Sequence, residues 1–80
     1  MKMNDNDLIL VKQILNSWGE ITEFSNEASY LTQDGGYVFI TSGISSHCLQ
    51  DLFLHGFVVS CKFCIGYSGS IEVRINKRNK

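Results

Sequence analysis

Apolar and polar positions along the chain follow two different periods, and each change of period marks an element. Leu8, Val11, Leu15 and Trp18 recur at spacings of three and four, with Ile14 beside them, which is one apolar face of a helix. Asn4 or Asp5 can cap it, and Asp5 and Asp7 place negative charge where the helix dipole favours it. Gly19 follows as a terminator, so the pattern predicts a helix over residues 5–18. From Ile21 to Thr32 the composition turns β-branched, aromatic and small polar. Phe24, Ala28 and Tyr30 fall on one strand face with Asn26 between them, and Ser25, Glu27 and Ser29 fall on the other. The turn signal Gln33-Asp34-Gly35-Gly36 and the compact run Tyr37–Thr41 complete a predicted β-hairpin over residues 21–41.

A second helix fits residues 45–55, with Ser42, Ser45 or Ser46 as cap and Cys48, Leu49, Leu52 and Phe53 as its buried stripe. His55 lies in its last turn and Gly56 ends it. Phe57, Val59, Cys61, Phe63 and Ile65 then alternate along a third strand. Gly66-Tyr67-Ser68-Gly69 turns the chain, and Ile71, Val73 and Ile75 alternate with Glu72 and Arg74 along a fourth.

The element order α-β-β-α-β-β predicts an α+β fold: a two-layer, four-stranded, mostly antiparallel sheet with both helices on one face. Residues 1–80 read as a single domain, with frayed ends at 1–4 and 77–80. The expected strand phases turn Val38, Ile40, Val59 and Phe63 toward the helices. They turn Tyr37, Phe39, Val58 and Cys64 to the other face, beside Lys62, Glu72 and Arg74.

Composition narrows the class without naming a function. With 44% hydrophobic and 19% charged residues, seven Gly and no Pro, the chain is neither a disordered polymer nor a fibrous repeat. A net charge of −1 supplies no global field to attract nucleic acid. Three cysteines are an odd number, the first residues are polar and acidic, and no apolar run approaches the roughly 20 residues that cross a bilayer. The expectation is a cytoplasmic, reducing location and no membrane contact.

The most chemically suggestive string is Cys61-Lys62-Phe63-Cys64. Two thiolates at this spacing bind zinc in a tight knuckle, and His47, Cys48 and His55 are the candidates to complete the set. In a regular strand, however, residues three apart point to opposite faces, which prevents chelation by the pair. The expectation is therefore no metal and no cofactor, with Cys61, Cys64, His55 and Cys48 as the ligand set if there is one. Catalysis is not expected either. His47 and Cys48 are neighbours on one helix and diverge, and Asp5 and Asp7 are explained by capping.

Ile65-Gly66-Tyr67-Ser68-Gly69-Ser70-Ile71 resembles the GXXG loop of KH-type nucleic-acid binders, and Gly36-Tyr37-Val38-Phe39 resembles part of the aromatic strand of an RRM. Strand-like flanks and the lack of basic residues favour a hairpin turn and an ordinary strand instead. What remains is surface chemistry. Tyr37, Phe39, Val58, Lys62 and Arg74 would form a partner-binding patch with the composition of a protein-interface hot spot. The expected function is a small non-catalytic interaction protein, for example an inhibitor or regulator, that binds a larger protein or complex. A homodimer through the same patch belongs to this expectation. One alternative is a nucleic-acid-binding module using Lys62, Arg74, Lys77, Arg78 and Lys80 with the two aromatics. The other is a small zinc-supported module.

Overall fold

A computed structural model of the chain describes residues 3–20, 29–64, 66 and 69–78. Its elements run α1 (Asp5–Ser17), β1 (Tyr30–Leu31), β2 (Tyr37–Thr41), α2 (Ser46–Leu54), β3 (Phe57–Phe63) and β4 (Ile71–Lys77). The expected α+β order is present, and every neighbouring strand pair is antiparallel. The sheet order is β1-β2-β4-β3. β2 and β3 therefore run in the same direction with β4 between them, and α2 carries the chain from one to the other.

Both helix starts follow from their sequences. Asn4 Oδ1 accepts from the Asp7 N–H at 2.8 Å, and Asp7 Oδ2 accepts from the Asn4 N–H at 3.1 Å, a reciprocal capping box. The Ser45 hydroxyl caps α2 by accepting from the Cys48 N–H at 3.2 Å. Gly19 (φ 69°) and Gly56 (φ 95°) each follow a C-cap residue in the left-handed region, where a side chain would be strained.

Cross-strand register assigns the faces. Tyr37 lies opposite Ile75, Phe39 opposite Val73, Val59 opposite Ile75 and Cys61 opposite Val73, so all of these share one face. Val11, Ile14 and Leu15 of α1 and Cys48 and Leu52 of α2 pack onto that face in a single core with Tyr37, Phe39, Phe57, Val73 and Ile75. Both helices therefore cover the same side of the sheet.

Three expectations change. Tyr37 and Phe39 belong to the core, 2% and 0% exposed, while Val38 and Ile40 take the opposite face. β2 is flanked by β1 and β4, and four of its five residues are buried, so it lacks the polar alternation that would reveal its phase. On α2, Cys48 and Leu52 are buried as expected, but Leu49 is half-buried and Phe53 is exposed. Of the residues expected to fray, the described ones near the ends make defined contacts. Met3 is buried and donates to the Gly35 carbonyl at 3.3 Å, and Lys77 bonds Asp7 Oδ2 at 3.0 Å. The Arg78 guanidinium lies 4.4 Å from the Phe53 ring centroid and donates to the Phe53 carbonyl. The expected strand over residues 21–28, including Phe24, Asn26 and Ala28, lies outside the described residues, as do Ile65, Tyr67 and Ser68 of the second turn.

Candidate docking surface on the edge strand

Among the described residues, the two edges of the sheet differ greatly. β1 contributes two residues, whereas β3 presents seven, in unbroken register with β4 from the Phe57–Lys77 pair to the Phe63–Ile71 pair. Short, bulged or highly charged edges resist pairing with other chains, and a long regular edge invites it. Lys62 is the only charged residue on β3, and it leans inward to Glu72 at 3.3 Å.

The direction of the free backbone groups follows from the ladder. The Gly56 carbonyl accepts from the Arg78 N–H at 2.8 Å, and the Cys64 N–H donates to the Ser70 carbonyl at 3.1 Å. Antiparallel pairing alternates, so even-numbered residues from 56 to 64 turn their N–H and C=O groups toward β4. Phe57, Val59, Cys61 and Phe63 turn theirs to the open edge. Beside that edge runs an apolar groove of about 400 Å³ lined by Leu49, Gln50, Phe53, Phe57, Val58 and Val59. α2 packs along β3 and forms its far wall. Past the groove, on the same face, Phe63 stands 87% exposed.

The five residues expected to form one patch divide between environments. Tyr37 and Phe39 sit under the helices, where Phe39 reaches neither surface. Val58, Lys62 and Arg74 do share the opposite face, because Val58 and Lys62 have the parity of Ser60, which pairs with Arg74. Around them Ser60, Cys61, Lys62, Glu72 and Arg74 line a second shallow cavity, more polar than the groove. The β3 edge itself was overlooked by sequence reasoning. Its signal was present in Phe57–Phe63, a regular strand with one charge and no Pro, but its place at the edge depends on β4 inserting between β2 and β3.

The candidate metal ligands are dispersed. Cys48 is buried in the core, and burial raises its thiol pKa to about 11, with Glu20 and Asp51 adding to the effect. Cys61 is exposed on β3 and Cys64 follows the strand end. His55 Nδ1 faces Asp51, 3.1 Å from Oδ1 and 2.8 Å from the carbonyl oxygen. Among the described residues no three His, Cys, Asp or Glu side chains gather in a metal-binding group. His47 stacks on Trp18 at 5.9 Å between centroids, and the Trp18 indole N–H donates to Asp51 Oδ2 at 2.9 Å. These contacts tie the end of α1 to α2. No helix among the described residues is long and apolar enough to cross a membrane.

Comparison of the chain with protein-family models, curated proteins and solved structures found no match.

Proposed function

We propose that this is a small non-catalytic interaction protein that binds another polypeptide along β3, acting as a regulator or inhibitor of the protein it engages. The observation that carries the reading is the seven-residue edge with its outward backbone groups lying against the Leu49–Phe53 groove. An added strand gains main-chain hydrogen bonds from the edge and specificity from side chains seated in the groove. Phe53, Val58 and Phe63 supply exposed apolar surface on or beside it.

The nucleic-acid alternative has less support. Among the described residues, Lys62 is paired with Glu72, Lys77 with Asp7, and Arg78 with the Phe53 ring and carbonyl, so three of the five cations named for that alternative already have partners within the chain.

Affinity capture from the source cells, with wild-type and Cys61→Pro baits compared at low and high salt, tests the reading. Proline at position 61 removes an outward N–H while sparing the bonds to β4. A protein retained by wild type in high salt and lost with the variant is the expected result. Equal capture by both baits, or a ligand released steeply by salt as phosphate contacts are, overturns it.

A further inference from the structure

Resting on that reading of the β3 edge, we infer that in the free protein the strand added there is β3 of a second copy, paired antiparallel about a two-fold axis through Ser60. The odd-numbered residues carry both the outward backbone groups and the helix-face side chains, so a symmetric antiparallel pair must match odd with odd. That condition places the axis through a residue rather than between two. Ser60 is the midpoint of Phe57–Phe63, and it is the register that engages every outward N–H and C=O of the strand.

The side chains fit this register. Phe63, which its own helices leave uncovered, comes to lie opposite Phe57 of the second copy, at the wall of the apolar groove. The symmetric contact repeats at the other end of the strand, so each groove receives one phenyl ring. Val59 lies opposite Cys61, and on the far face Val58 lies opposite Lys62. No like charges are therefore directly opposed, and the Lys62 stem covers an apolar neighbour. A net charge of −1 per chain sets up little repulsion between copies.

The area is adequate for association. Phe63 at 87% exposure, Phe53 at 53% and Val58 at 41% amount to about 350 Å² of surface per chain. With the backbone edge and flanking side chains, the contact reaches on the order of 1,000 Å² in total, the level at which specific interfaces begin. The assembly would be one continuous eight-stranded sheet with all four helices on the same side.

The experiment is native mass spectrometry and sedimentation of reduced, untagged protein from 1 to 100 μM, with hydrogen exchange read on β3. Wild type is expected to shift from 9.0 kDa toward twice that mass as concentration rises, with the amides of Val59, Cys61 and Phe63 slowing in parallel. Phe63→Asp should remain monomeric across the range with unchanged circular dichroism. Cys61→Pro provides the same readout should Phe63→Asp fail to fold. Wild type monomeric at 100 μM overturns the second copy and leaves the edge to the capture experiment above. A dimer whose β3 amides exchange as fast as in the monomer overturns the second copy at β3 and likewise leaves the edge to the capture experiment.

Discussion

Replacing Phe39 by alanine tests the phase of β2, which places Tyr37 and Phe39 in the core. Phe39 is fully buried on the helix face, opposite Val73 and 5.8 Å in centroid distance from Tyr37. Truncating a buried Phe costs about 3–5 kcal/mol, combining lost transfer energy with the cavity left behind. A domain of this length holds roughly 4–12 kcal/mol in total, so the variant sits near the limit of folding. With a urea slope of about 1 kcal/mol per molar, its midpoint falls by about 3 M or the transition vanishes. Tyr30→Ala is the matched control. It removes an aromatic from the same hairpin, but one that is half-exposed and paired with Val38 on the other face, so it should cost no more than about 1 kcal/mol. Trp18 fluorescence and far-ultraviolet circular dichroism report both transitions. A midpoint shift under about 1 M for Phe39→Ala, or a larger shift for Tyr30→Ala, would mean that β2 is inverted and that Phe39 faces solvent.

Two further outcomes follow from titratable groups. The Asn4 N–H, and after it the Lys77 ammonium, hold the Asp7 carboxyl below the usual carboxylate range. A carboxyl depressed in the folded state stabilises the fold above its unfolded pKa and loses that contribution as pH falls through the folded value. Stability should therefore drop below about pH 4, and Asp7→Asn should flatten that limb in urea titrations, so an unaltered limb would remove Asp7 from the account. Cys48, buried and with its thiol pushed up to about 11, should resist Ellman's reagent at pH 8 until urea unfolds the chain. A Cys48→Ala variant that still showed a delayed thiol would contradict that assignment.

The helices were legible because their signals are local. The Asn4–Asp7 pair is a capping box within four residues, and Ser45 and Gly56 bracket α2 in the same way. β3 and β4 were legible through alternation, since each has a polar and an apolar side. β2 was not. Tyr37, Val38, Phe39, Ile40 and Thr41 are nearly uniform in polarity because the strand is covered widely on both faces, and without alternation its phase is fixed only by register with β4. That inverted phase placed two core aromatics in the expected surface patch. The strand order was hidden for a related reason. Pairing Tyr37 with Ile75 is a long-range contact, and no local motif announces that β4 enters between β2 and β3.

The position of β4 also governs when the sheet can exist at all. Among the described strands, the last in chain order is the one that joins the others, because β2 and β3 share no neighbour until residues 71–77 are in place. Elements made earlier wait with apolar flanks bare, and the fold closes late through contacts distant in sequence, a slow and aggregation-exposed route. Among the described strands, a chain halted before Ile71 would keep only the β1–β2 pair and leave β3 without a neighbour.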